Sequence, residues 1–152
     1  CRELPELCLG ASRHFLLELP FCPWTDQLVS QLYELPGRTG LTPVLAHIER
    51  YLKGQKPEHL DAVLSLGVPV QVSAEPLLHL TRRGAVLKLL RSCRAQLIAS
   101  DAHDPKSRPP NLGSAMAVVR RKLGGGAVDS LAAQGGALLS RFLEAFPEVR
   151  SI

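Results

Sequence analysis

Thr42-Pro43-Val44-Leu45-Ala46-His47-Ile48-Glu49-Arg50-Tyr51 is the stretch on which the reading of this sequence turns. Residues 42–46 form a short apolar run, too brief for an ordinary helix and bounded by polar side chains, which is the pattern of a buried strand. The run leads directly into an imidazole, a carboxylate and a guanidinium. In α/β proteins with parallel strands, chemistry gathers just beyond the C-terminal strand ends. His47, Glu49 and Arg50 therefore stand where functional side chains are expected.

Working outward, the same alternation recurs. Further strands are predicted at His14–Leu19, Val68–Val72 and Gln96–Ala99, the first ended by Pro20 and Pro23. Helices are predicted over Thr25–Leu35, stopped by Pro36-Gly37, and from Pro57 to the vicinity of Gly67, with Leu60, Val63 and Leu64 on one face. Leu77–Leu90 is helical in pattern, weakened at Gly84. A loop then leads to a helix over Asn111–Leu123, a break at Gly124-Gly125-Gly126, and two shorter helical pieces, Val128–Ala133 and Ala137–Phe146. Strand and helix in alternation mean parallel strands joined by crossover helices. Four strands are few for a closed barrel and acceptable for an open sheet.

Composition narrows the function classes. With 152 residues, 45% of them hydrophobic and 21% charged, the chain can build a core and is not disordered in type. No apolar run approaches the ~20 residues that cross a bilayer, and the N-terminal residues do not read as a signal peptide. No membrane insertion is expected. Lys and Arg total 18 against 14 Asp and Glu, a surplus of four that excludes a nucleic-acid role unless it is concentrated on one face. Its clusters, Arg82-Arg83 and Arg120-Arg121-Lys122, lie in helical stretches and read as solvated faces. The four cysteines are irregularly spaced with no C-x-x-C pair, which fits a reducing, cytoplasmic setting. Position 1 is Cys and not Met, so the chain is expected to be a piece of a longer one.

The residues after the strands are Glu18, His47 with Glu49 and Arg50, Gln71 with Ser73, and Asp101 with His103. In extended chain, positions i and i+2 share a side, so Asp101 and His103 face one site. A carboxylate with an imidazole suits a borderline divalent ion such as zinc, manganese or iron. Each residue also has an ordinary structural role: Asp101 as the cap of a turn, His103 at the surface, His47 as a satisfied core histidine, Glu18 in an ion pair. Their shared placement is what raises the metal-site reading. Arg50, three residues past His47, and Arg108, five past His103, add guanidinium forks that match phosphate oxygens.

Other hydrolytic and nucleotide chemistries lack their residues. No Cys is followed by Arg six positions on: Cys8 meets His14, Cys22 meets Leu28 and Cys93 meets Ala99. A thiolate phosphatase loop is thus absent. There is no G-x-x-x-x-G-K-[ST], no G-x-G-x-x-G and no G-x-S-x-G.

Taken in order, the A-H-x-E-R-Y segment at 46–51, Ser100-Asp101-Ala102-His103 and Arg108-Pro109 resemble the PHP (polymerase and histidinol phosphatase) superfamily. Within it they are most similar to the bacterial tyrosine-protein phosphatases encoded with capsule and exopolysaccharide synthesis genes. The resemblance runs from about Phe15 to Ala117. It implies an α/β chain forming part of a distorted (β/α)7 TIM-like barrel, with all 152 residues as one C-terminal portion. It implies Glu18, His47, Asp101 and His103 as ligands of a cluster of up to three divalent metals, commonly manganese, with zinc or iron as alternatives. Arg50 and Arg108 would clamp the phosphoryl group, and water activated by the metals would replace a protein nucleophile. The implied substrate is a phosphotyrosine protein, a bacterial tyrosine kinase.

The sequence departs from that pattern in three places. Ile48 stands where the family often has proline, and Ala74-Glu75 where it often has a small polar residue. The larger departure is the missing H-x-H strand, with the histidine and glutamate that follow it, since only His14 precedes Glu18. A barrel of this kind has ~250 residues, so roughly 100 are expected upstream. Two other functions share these residues: a different PHP phosphoesterase, such as a histidinol-phosphate phosphatase, and a non-catalytic module that keeps the barrel shape to bind a partner.

Overall fold

A computed structural model describes residues 4–9 and 12–145. Its four strands are β1 (His14–Leu17), β2 (Thr42–Leu45), β3 (Gln71–Ser73) and β4 (Leu97–Ala99). β1 and β2 run parallel, with His14 opposite Thr42 and Leu17 opposite Leu45. β3 and β4 do the same, with Gln71 opposite Leu97 and Ser73 opposite Ala99. A parallel bridge between Leu45 and Val70 links the pairs, and the Leu45 amide donates to the Pro69 carbonyl at 2.9 Å. The spatial order is therefore the chain order, and all four C-terminal ends lie on one edge. Among the described residues this array is open, a mixed α/β arrangement rather than a closed barrel.

The helices are α1 (Asp26–Thr39), α2 (Pro57–Leu64), α3 (Glu75–Leu78), α4 (Arg83–Arg91), α5 (Leu112–Leu123) and α6 (Gly125–Ala145). α1 begins where Thr25 accepts a hydrogen bond from the Leu28 amide through Oγ1, satisfying one of the amides a helix start leaves unpaired. α2 begins at Pro57, whose missing N–H is harmless at that position. The core lies between strands and helices, on Leu45, Ile48, Val63, Val72, Leu77 and Val119, none more than 1% exposed. Tyr51 completes it, packed between Trp24 and Phe21 with ring centroids 5.1 and 5.4 Å away.

Three helix boundaries differ from expectation. α1 does not stop at Pro36-Gly37 but continues to Thr39. Proline removes one amide, yet its fixed φ suits a helix; Thr39 Oγ1 donates to the Leu35 carbonyl, and the Gly40 amide to that of Pro36. Gly40, at φ 69°, ends the helix in the left-handed region, and a Cβ there would meet the Arg13 guanidinium at 2.7 Å.

The stretch 77–90 is not one helix. It breaks at His79, whose extended backbone (ψ 128°) separates α3 from α4, so Gly84 lies inside α4 and is not the weak point. Two pieces were expected after Gly124-Gly125-Gly126, but α6 is continuous through Gly135-Gly136. Only Gly124 breaks the chain, at φ 92° and ψ 172°, a conformation essentially reserved for glycine. Each interior glycine costs α6 about 1 kcal/mol of propensity, offset by packing on α5 and β4. The expected end of this helix at Phe146 lies outside the described residues. No helix among the described residues is long and apolar enough to cross a membrane, and Cys22 and Cys93 form no disulfide.

Candidate functional site

Two residues past β2, the backbone enters the left-handed region at His47, φ 54° and ψ 38°. Two residues past β4 it does so again at Asp101, φ 55°. Non-glycine residues in this region are uncommon, and Asp and His tolerate it better than most. Equivalent turns at equivalent strand ends bring the two side chains together, with His47 Nε2 3.6 Å from Asp101 Oδ1. That is too long for a hydrogen bond and suits two donors about 2 Å from one shared ion.

His47 is fixed at both its ring and its backbone. Its ring Nδ1 lies 2.9 Å from Ser73 Oγ, at the end of β3, and its amide donates to Gln71 Oε1 at 3.1 Å. Ser73 is itself held by its amide, which donates to Glu49 Oε2 at 3.2 Å. His47, Gln71 and Ser73 are all buried. With Nδ1 occupied by a hydroxyl, Nε2 is the nitrogen aimed at Asp101, the arrangement that orients a ligating imidazole.

The short 3-10 turn Ile48–Tyr51, whose Arg50 amide donates to the His47 carbonyl, carries the Arg50 guanidinium to the same edge. Arg50 donates to Glu18 Oε1 at 2.7 Å and to Asp101 Oδ2 at 3.1 Å. Arg108 also donates to Asp101 Oδ2. It is presented by the loop 104–108, which Asp104 organises by accepting from the Lys106 and Ser107 amides and the Ser107 hydroxyl. The Ser107 hydroxyl and amide, then the Lys106 amide, lower the Asp104 carboxyl to about 2.

Five of the six candidate residues thus form one network at the C-terminal edge: Glu18, His47, Arg50, Asp101 and Arg108. Glu18 joins through Arg50 and not directly. His103 stands apart, half-exposed, with Nδ1 2.9 Å from the Asp101 carbonyl and 3.8 Å from its carboxylate. Among the described residues, no group of three His, Cys, Asp or Glu closes on one point as a metal-binding set. The donors present fit a divalent ion in part: one imidazole nitrogen and one carboxylate oxygen converge, and the Ser73 hydroxyl holds the imidazole in that orientation.

Beside the network opens a cavity of about 660 Å³, lined by Arg50, Ser73, Asp101 and Arg108 and also by Lys53 and Arg82. Arg82 is exposed, as expected of a solvated helix face, and also borders this cavity. Ser73, Gln71 and Glu49 stood among the polar residues after the strands, yet nothing in spacing marks them as supports of His47.

The class defined here is an α/β protein whose parallel strands bring an imidazole, a carboxylate and two guanidiniums together at their C-terminal edge. The sequence profile of the family described as "Capsular polysaccharide synthesis, CpsB/CapC" matches residues 2–139. The chain belongs to this family. It is 32% identical over 95 residues to the tyrosine-protein phosphatase CpsB of Streptococcus agalactiae, in strains of serotypes V and III. That match takes in 56% of this chain and 39% of each relative, so the chain spans well under half of their length. The fold is shared with a chain from the crystal structures of YwqE from Bacillus subtilis and CpsB from Streptococcus pneumoniae, described as unique metal-dependent tyrosine phosphatases. The TM-score is 0.79 at 23% identity, covering 92% of this chain and 59% of that one.

Proposed function

We propose that these 152 residues are the C-terminal part of a distorted (β/α)7 barrel that hydrolyses phosphotyrosine in proteins, using divalent metals, most often manganese. The observation that carries this reading is the approach of His47 Nε2 and Asp101 Oδ1 to 3.6 Å beneath two guanidiniums. His47 and Asp101 would hold the first ion, Glu18 and His103 would join once further donors from outside the chain complete the cluster. The short span against the CpsB relatives supports that division. By the likeness to CpsB proteins, the substrate is a bacterial tyrosine kinase controlling capsule or exopolysaccharide synthesis, met in the cytoplasm.

Bound divalent metal supplies Lewis acidity and an activated water at neutral pH. The chain's own residues supply the rest. Arg50 and Arg108 both spend donors on Asp101 Oδ2, and each guanidinium has further N–H groups to offer. A phosphoryl group beside Asp101 takes those donors bidentately, which fixes its orientation and balances its charge. Glu18 holds Arg50 from the opposite side, so the fork stays in place without substrate. Ser73 keeps the His47 ring turned with Nε2 towards Asp101.

The complete protein should turn over phosphotyrosine peptides with manganese far faster than histidinol phosphate or phosphoserine peptides. Equal or faster turnover of histidinol phosphate would move the assignment to a small-molecule phosphoesterase; no turnover of any of them would favour a binding module. Ser73→Ala removes the partner of His47 Nδ1. The manganese concentration for half-maximal activity should rise about 10- to 100-fold, the usual effect of losing an outer-shell partner, with less change at saturating metal. An unshifted titration would reduce Ser73 to a packing role.

A further inference from the structure

The cavity beside the network is larger than a phosphoryl group requires. At about 660 Å³ it lies within the range of pockets that enclose whole drug-sized ligands, about 300 to 1,000 Å³. Arg50 and Arg108 belong to its phosphate end. Two further cations, Lys53 and Arg82, line the same cavity and take no part in the network around Asp101. Leu52, Pro76 and Val86 add apolar surface to the lining.

The charges on this wall are unevenly matched. Four cations face three carboxylates: Glu49, Glu75 and Asp101. Glu49 accepts from the Ser73 amide, and Asp101 is taken by Arg50 and Arg108. Glu75 Oε1 is 2.6 Å from both Arg82 Nη2 and His79 Nε2. That contact uses one nitrogen of the Arg82 fork and steadies the side chain at the start of α4, leaving other donors available. Lys53 has no ion-pair partner among the described residues.

We propose that Lys53 and Arg82 form a subsite for an acidic side chain flanking the phosphotyrosine, which makes the site selective for phosphotyrosine in an acidic sequence context. The inference rests on the phosphotyrosine reading for its phosphate end. The apolar side chains of the lining accommodate the intervening part of the peptide. A carboxylate flanking the phosphotyrosine meets the Lys53 ammonium, which has no ion-pair partner among the described residues, and the Arg82 guanidinium, steadied by Glu75.

The test is the binding of labelled peptides to the complete protein, each carrying a non-hydrolysable phosphonate analogue of phosphotyrosine flanked by Asp, Ala or Lys. The Asp peptide should bind about three- to tenfold more tightly than the Ala peptide, as expected for one or two partly exposed ion pairs. Lys53→Ala, which breaks no ion pair among the described residues, should weaken that preference, and Arg82→Lys should largely keep it. The double variant K53E/R82E should reverse it towards the Lys peptide. Equal binding of the three peptides, or an unchanged preference in the double variant, overturns the subsite. Failure of all three phosphonate peptides to bind overturns the phosphotyrosine reading itself.

Discussion

Asp101→Asn in the complete protein should lower manganese-dependent phosphotyrosine hydrolysis at least about 100-fold, the upper range for disturbing a metal's supporting shell. The substitution keeps the size of the side chain and the tolerance of the left-handed backbone, φ 55°, that Asn shares with Asp. What it removes is charge. One carboxylate serves His47 through Oδ1 and both guanidiniums through Oδ2, so its neutralisation weakens the cation position and loosens both arginines together. KM should rise along with the fall in kcat. Stability should change by no more than about 1 kcal/mol, since the arginine contacts are partly exposed. Asp101→Ala should add roughly 1–2 kcal/mol of backbone strain, which makes Asn the cleaner probe. An Asn variant keeping a third or more of the activity would remove Asp101 from the centre.

Tyr51→Ala should give the largest loss of stability among single changes near the site. The ring is 1% exposed and lies between Trp24 and Phe21, while its hydroxyl donates to the Leu19 carbonyl. It therefore ties the segment after β1, which carries Glu18, to the turn that carries Arg50. Truncation should cost about 3–5 kcal/mol, as for other large buried aromatics, and lower Tm by roughly 10 °C. Tyr51→Phe keeps the ring and abandons the Leu19 carbonyl, for about 1–2 kcal/mol. Thermal denaturation of both variants checks this, and near-equal losses would show that the hydroxyl and not the packing dominates. Burial, then the nearby Glu18 carboxylate, raises the Tyr51 hydroxyl above its usual 10. Its stabilisation is therefore present below pH 10 and is lost as the pH rises towards the elevated value.

The strand-to-helix alternation was legible because each strand is a short apolar run punctuated by Pro, Gly or charge. The run 42–46 and its exit at His47 pointed to the strand edge on which the His47–Asp101 network lies. Period and punctuation carry less information where tertiary contacts decide. Pro36 and the Gly135-Gly136 pair read as breaks, yet capping at Gly40 and packing of α6 carry the helices through. The opposite happened at His79, where a good helical pattern yields to an extended residue. In the site, the residue types at strand ends marked His47, Asp101, Glu18 and the two arginines. Two features depend on backbone conformation and long-range contact and so left no local signal. One is the pair of left-handed turns that aims His47 at Asp101; the other is the Gln71–Ser73–Glu49 support behind the ring. Arg82 was masked for a related reason, since a basic residue at a helix start looks the same facing solvent or a cavity.

On the reading proposed above, one divalent ion sits between His47 and Asp101. Anomalous scattering from crystals of the complete protein grown with manganese tests it most directly. The predicted result is a manganese peak within about 2.3 Å of both His47 Nε2 and Asp101 Oδ1, with Arg50 and Arg108 alongside. Manganese bound elsewhere with none at this pair, in crystals of a protein that hydrolyses phosphotyrosine, would contradict it.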